Sequence, residues 1–328
     1  MSVHPFDQLL DGGGVVVLDG GLGTELERRG ADLTDPLWSA RLLADDPEAI
    51  VATHLAYFRA GAQVATTASY QATFEGFKAR GIGRDDAAKL MRRSVELAIE
   101  ARRRYRAETD AAASAATGSA AVPAADLFVA VSIGPYGALL ADGSEYRGDY
   151  GLSITQLRDF HRPRLTVLAA SGADLLALET IPSIDEGRAL AELLDERRDV
   201  RAWLSFSCAD GAHTRRGDPI EEAFDLAEHS PGIIAVGVNC TEPVHVEELV
   251  RRAAGRTSKP IVVYPNGGER WNAAGRTWSG RTAERSPGGL AAGVDSWLAA
   301  GARIVGGCCR VGPDTIAEIA AAARRSLA

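Results

Sequence analysis

Ile233-Ile234-Ala235-Val236-Gly237-Val238-Asn239-Cys240 is an apolar run with no polar interruption before Asn239, closed by a thiol. A strand with one solvated face alternates apolar and polar residues. A run apolar on both parities belongs to a strand covered on both faces, as in a parallel sheet between helices. Ile304-Val305-Gly306-Gly307-Cys308-Cys309 is built the same way and also ends in thiols. Six further runs, at 15–18, 64–70, 127–133, 175–180, 202–208 and 261–264, complete a set of eight. Helical periodicity fills 47–60, 85–106, 155–170, 184–198, 220–228, 244–254 and 289–300 between them, and 313–326 after the last. Eight such units predict an α/β chain folded as one (β/α)8 TIM-type barrel over residues 1–328. Gly61, Gly172 and Gly301 stand in similar Ala-rich contexts where a helix ends and a strand begins, as a left-handed C′ residue requires.

The bulk numbers allow one large core and exclude several classes. The chain has 328 residues, 46% hydrophobic and 24% charged, an ordinary globular balance. Its net charge of −8, from 36 basic and 44 acidic side chains, gives no basic footprint for nucleic acid. No run approaches the ~18 apolar residues of a membrane span, and residues 1–10 lack the pattern of a secretion signal. Four cysteines in so long a chain are no disulfide framework. The expected setting is a reducing cytoplasm, where clustered thiols point to metal or catalysis, and the expected state is a monomer. Residues 110–125, nearly all Ala, Ser, Gly and Pro, read as a flexible surface loop, with extension of the preceding helix as the alternative.

In a barrel the chemistry belongs to the C-terminal ends of the strands. Cys240, Cys308 and Cys309 share that face, where three thiolates can hold a zinc ion and leave its fourth position open. Gly306 and Gly307 are expected to let the backbone approach a ligand and turn both thiols toward one ion. Cys208, beside Trp203, Leu204 and Phe206, reads as core. A vicinal disulfide of Cys308 and Cys309 is the redox alternative. The Asp19-Gly20-Gly21-Leu22-Gly23 turn lacks a P-loop lysine. It reads either as a nest of N–H groups for a carboxylate, with Asp19 toward an ammonium, or as a plain turn. Glu179 closes its strand either in a structural pair or facing a cationic ligand. None of the six histidines lies at a strand end, and all read as surface or packing.

At these residues the chain resembles the zinc-dependent homocysteine S-methyltransferase family, most closely the branch that uses S-methylmethionine as methyl donor. The resemblance runs from Leu18-Asp19-Gly20-Gly21 to Gly306-Gly307-Cys308-Cys309-Arg310. It includes Leu37-Trp38-Ser39-Ala40, Ala68-Ser69-Tyr70-Gln71, Ile133-Gly134-Pro135-Tyr136-Gly137, residues 140–150, Gly237-Val238-Asn239-Cys240 and Tyr264-Pro265-Asn266-Gly267-Gly268-Glu269. It implies one zinc on Cys240, Cys308 and Cys309, with homocysteine sulfur as fourth ligand. It implies Asp19 and Glu179 at the homocysteine ammonium, and backbone N–H groups near Leu22 and Gly23 at its carboxylate. Asn239 and Asn266 belong to the same implied pocket, and residues 143–150 to the donor side.

The implied reaction suits these residue types. Zinc deprotonates a coordinated thiol, and three cysteine thiolates keep the centre anionic and the bound sulfur nucleophilic. A sulfonium donor, S-methylmethionine or S-adenosylmethionine, brings a positive charge and leaves as a neutral thioether. No general acid is then required, and catalysis is positioning and electrostatics. Asp142 or Glu145 by charge, or the rings of Tyr136 and Tyr146 by cation–π contact, are candidates to hold the donor. No adenosine-binding signature is visible, which favours S-methylmethionine. The other readings are a structural or regulatory zinc-thiolate centre, with Cys208 as a fourth ligand, and a vicinal-dithiol redox enzyme.

Overall fold

The computed structural model describes residues 4–32, 39–115, 126–197, 199–268, 270–272, 277–279 and 289–326. Seven parallel strands come first: β1 Val16–Val17, β2 Val64–Thr66, β3 Phe128–Ile133, β4 Leu175–Ile181, β5 Ala202–Phe206, β6 Ile233–Asn239 and β7 Ile261–Tyr264. An antiparallel hairpin of β8 Arg270–Asn272 and β9 Thr277–Ser279 follows, then β10 Ala302–Val305. The sheet order is β1-β10-β7-β6-β5-β4-β3-β2, all parallel. Its two edges meet at a parallel bridge between Leu18 and Val64, where Gln63 N–H donates to the Val17 carbonyl at 2.7 Å. The sheet is therefore a nearly closed barrel with helices between its strands, the (β/α)8 fold that the eight runs predict.

Alternation along each strand divides the core in two. Val16, Leu18, Phe128, Ala130, Leu175, Ala177, Trp203, Ala235, Val262 and Ile304 fill the barrel interior. Their neighbours Val17, Val129, Val131, Leu176, Leu178, Leu204, Val236, Val263 and Val305 face the helices. Small residues at 130, 177 and 235 leave the interior room for the buried Trp203 indole, whose Nε1 donates to the Tyr264 hydroxyl at 2.9 Å. One more step at the same parity reaches Thr66, Ser132, Glu179 and Ser205, and a second step past Ala235 reaches Asn239. The interior thus turns polar at the C-terminal rim.

Several elements differ from the sequence reading. A short helix, Pro5–Asp11, places Phe6 in the barrel interior, edge-on to Phe128 at 5.1 Å. Because Phe128 begins β3, this helix stoppers the N-terminal end of the barrel. The helix predicted at 85–106 runs from Arg84 to Ala115, so the first part of the Ala/Ser-rich segment is helical. Residues 116–125, Leu37, Trp38 and Glu269 lie outside the described residues. β2 ends at Thr66, and 67–70 turn across the rim instead of continuing the strand. No helix among the described residues is long and apolar enough to cross a membrane.

Candidate metal and substrate site

Cys240 follows the end of β6, and Cys308 and Cys309 stand three and four residues beyond β10. Their sulfurs all lie within 4.8 Å of one another. Cys240 Sγ is 3.0 Å from Cys308 Sγ and 3.7 Å from Cys309 Sγ. The Cys240 thiol is held below its ordinary range because the other two thiols donate to it, and theirs are raised in turn. Cys240 is buried, and Cys308 and Cys309 are half-buried. Cys208 stays apart in the helix-side core, with burial pushing its thiol up to about 12.

The loop carrying Cys308 and Cys309 is sewn to its neighbours by backbone bonds. Cys308 N–H donates to the Pro265 carbonyl at 2.8 Å, and Gly267 N–H to the Cys309 carbonyl at 2.8 Å. On the other side, Gly21 N–H donates to the Val311 carbonyl at 2.9 Å, and Arg310 N–H to Thr24 Oγ1 at 2.9 Å. The Tyr57 hydroxyl shares its proton between the Gly21 and Val311 carbonyls, at 2.9 and 3.0 Å. Gly306 and Gly307 let this seam close. A Cβ at 306 would stand 2.7 Å from Leu18 Cβ, and one at 307 would stand 2.2 Å from Val311 Cγ1. Cys240 itself has φ 50° and Thr180 φ 61°, left-handed values that non-glycine residues adopt at a cost of about 1–3 kcal/mol each.

Two buried carboxylates belong to the same rim. Asp19 accepts from Thr66 N–H and Thr66 Oγ1, both at 2.7 Å. Glu179, inward-facing on β4, accepts from Ser132 Oγ. Burial raises Asp19 to about 8, with Glu179 adding repulsion, and burial raises Glu179 to about 7. No ion pair reaches either carboxylate among the described residues, so the rim is set to receive a cation. An amino-acid ligand is therefore expected to bind with proton release near neutral pH. Its affinity is expected to fall about ten-fold per pH unit below 7, measurable by calorimetry in buffers of different ionisation enthalpy. For folding the sign is opposite. Both carboxyls are raised above their unfolded values, so their contribution is complete below about pH 4 and lost as pH rises through 7 to 8. The unliganded protein should melt lower at pH 8 than at pH 6.

Asn239 is enclosed by protein. Its Oδ1 accepts from Thr180 N–H and Ser205 Oγ, both at 2.8 Å, and its Nδ2 donates to Thr180 Oγ1 at 2.8 Å. That amide pins the left-handed Thr180, and with it the end of β4 that carries Glu179. Asn266, buried after β7, keeps an Oδ1 without a protein partner. Leu22 and Gly23 open the helix Leu22–Arg28, whose N-cap Gly21 offers no side chain to their N–H groups.

The residues named for the donor side fall into three groups. The Tyr146 hydroxyl is 3.8 Å from Cys240 Sγ. Glu145 has a buried Oε2 without a partner, and burial next to Cys240 raises its carboxyl to about 7. Tyr136 packs its ring between Tyr150 and Phe160, at 5.2 and 4.9 Å. Asp142 is exposed, accepts from Ser144 N–H at 2.9 Å and pairs with Arg147, the work of a turn residue. Tyr70, read as strand, stands in the turn after β2 with its ring against Gly134. Sequence reading missed Ser205, which inward parity alone would have flagged. His161, read as surface or packing, is fully buried and bonded to Glu186 at 2.8 Å.

Comparison with known proteins bears directly on this rim. The family model described as "Homocysteine S-methyltransferase" matches residues 16–323. The chain is 44% identical to "Homocysteine S-methyltransferase YbgG" of Bacillus subtilis over 98% of both chains. It is 48% identical to "Homocysteine S-methyltransferase 4" of Zea mays, over 96% of this chain and 91% of that one. The crystal structure of the homocysteine methyltransferase MmuM from Escherichia coli in metallated form superposes with TM-score 0.84 at 44% identity. That match covers 97% of this chain and 99% of that one.

Proposed function

This chain belongs to the homocysteine S-methyltransferase family and is a homocysteine S-methyltransferase; from that premise we propose which residues do the work and what donates the methyl group. The donor is a sulfonium, S-methylmethionine in preference to S-adenosylmethionine, and the product is methionine. Zinc is held by Cys240, Cys308 and Cys309, and the enzyme acts as a cytoplasmic monomer. The observation that carries this reading is a cluster of three sulfurs sharing a rim with two buried carboxylates that have no cationic partner among the described residues.

The donor set fits the ion. Zn–S bonds of about 2.3 Å put tetrahedral sulfurs about 3.8 Å apart, and the separations of 3.0 and 3.7 Å need only a small side-chain adjustment. The metallated form of the Escherichia coli relative supports the same assignment. Zinc bound there supplies a deprotonated acceptor sulfur that three thiolates keep nucleophilic. Asp19 and Glu179 take the homocysteine ammonium, and the N–H groups of Leu22 and Gly23 take its carboxylate. Asn266 Oδ1 offers one further acceptor, while Asn239 shapes the pocket through Thr180. Glu145 and Tyr146 face the incoming methyl donor; Tyr136 and the exposed Asp142 support that segment from further away. The sulfonium C–S bond breaks with its electron pair going to the donor sulfur, as the methyl carbon bonds to the acceptor sulfur. The leaving thioether is neutral, which agrees with a rim that holds no histidine.

A closed structural zinc centre has less support, because among the described residues no fourth His, Cys, Asp or Glu ligand joins the three sulfurs. The test is a methyl-transfer assay with homocysteine and each sulfonium, with and without a chelator. Turnover from S-methylmethionine that chelation stops is expected; chelator-resistant turnover would sink the zinc assignment. Glu145→Gln is expected to raise the donor KM about ten-fold with homocysteine KM unchanged.

A further inference from the structure

We infer that His161, Arg164 and Glu186, a fully buried triad away from the reacting atoms, positions the donor side of the pocket. The inference rests on the reading above that Glu145 and Tyr146 face the donor. The triad comes from two helices, Ile154–Ala169 and Ile184–Asp195, packed outside β3 and β4. Burying an arginine and a glutamate is expensive, and an apolar trio would be about as stable. Arg164 even leaves Nε and Nη1 without a protein partner. Stability alone does not account for it.

What the triad grips is the turn after β3. Arg164 Nη2 donates to the Gly134 carbonyl, and Tyr136 N–H donates to Glu186 Oε1 at 2.6 Å. These two peptide groups flank Pro135, which has no N–H of its own, so no strand ladder can hold this turn. His161 bridges the two grips. Its Nδ1 accepts from Arg164 at 3.0 Å, which puts the ring hydrogen on Nε2, donated to Glu186 at 2.8 Å. Burial lowers His161 to about 4 and keeps it neutral in this role.

From the turn, contact passes to the donor segment where Gly137 closely approaches residues 144 and 145 and the Tyr150 hydroxyl. A Cβ at Gly137 would stand 2.4 Å from Glu145 N and 2.6 Å from the Ser144 carbonyl carbon. The clamped turn is therefore the floor on which residues 144–146 rest, with Tyr146 reaching 3.8 Å from Cys240 Sγ. The triad thereby sets where Glu145 and Tyr146 sit.

The test uses the zinc-loaded enzyme and three variants, Glu186→Gln, Gly137→Ala and Glu145→Gln. Each is measured for donor KM, homocysteine dissociation constant and zinc content. Glu186→Gln weakens the grip, and Gly137→Ala lifts the donor segment without touching the triad. Both are expected to raise donor KM about ten-fold, with zinc content and homocysteine binding within about two-fold of the parent. If Glu145→Gln alone raises donor KM, the triad is only structural and the inference falls while the donor-side reading stands. If Glu145→Gln leaves donor KM unchanged, that reading fails and the inference with it. A parallel rise in donor KM and homocysteine dissociation constant would mean general loosening and also overturn it. Should Glu186→Gln fail to fold, Arg164→Lys, which loosens the other grip on the Gly134 carbonyl, is read by the same three measurements and decides.

Discussion

Replacing Cys240, Cys308 or Cys309 singly by serine is expected to strip zinc from the protein and abolish methyl transfer while leaving the barrel folded. A serine hydroxyl is a poor ligand for zinc beside thiolates, and three ligands leave none to spare. Losing a residue that only orients a metal ligand costs about 10- to 100-fold in affinity, and losing a ligand costs more. The fold should survive because its two cores are built from side chains elsewhere. Cys240 lies outside both clusters and Cys308 only touches the interior one. Metal content per chain, turnover and a thermal melt on the same preparations decide the matter. Any of the three variants that kept one zinc per chain would remove that cysteine from the ligand set. Cys208→Ser is the matched control. It changes a core thiol bonded through its backbone to Thr241 at 2.9 Å and should keep its zinc.

Asp19→Asn and Glu179→Gln are expected to lower kcat/KM for homocysteine by about 10²- to 10³-fold, the usual loss when one member of a buried charge pair is removed. Donor KM should be unaffected. Stability should move the other way. Both carboxyls are raised toward neutrality by burial and sit near each other without a cation. An amide of the same shape removes that burden from the unliganded protein. A melting temperature equal to or above the parent's, with the catalytic loss, would mark these two positions as held for function at the expense of stability. A lower melting temperature would mean that the carboxylates brace the rim, through Thr66 and Ser132, more than they wait for an ammonium.

Much of this was legible in the sequence because a buried parallel strand leaves a strong mark. Runs such as 175–180 and 233–240 are apolar on both parities, and their polar ends mark the rim. The three clustered thiols stood out by position alone. The reading faltered where a segment's role depends on distant partners. Helix Pro5–Asp11 is too short to show periodicity, and only the barrel it stoppers explains it. Ser205 looks like an ordinary strand residue until it is known which face turns inward. Asn239 was placed in the pocket by the resemblance, and its bonds to Thr180 and Ser205, with its Nδ2 3.9 Å from Cys308 Sγ, could not be read from the strand pattern. His161 and Glu186 lie 25 residues apart on helices whose relative rotation no single-helix pattern specifies.

The left-handed backbone at Thr180, Cys240 and Arg310 has a consequence for redesign. Thr180 lies at the end of β4, and Cys240 and Arg310 come after β6 and β10, so the strained backbone gathers at the rim. A search for heat-resistant variants would meet them early, since glycine or asparagine relaxes such a conformation. At Cys240 that gain would remove a ligand. At Thr180 it would slacken the end of β4 and let Glu179 drift from its place beside Asp19. Thermal hardening of this enzyme should therefore start from the helices and the N-terminal stopper, leaving the rim under tension.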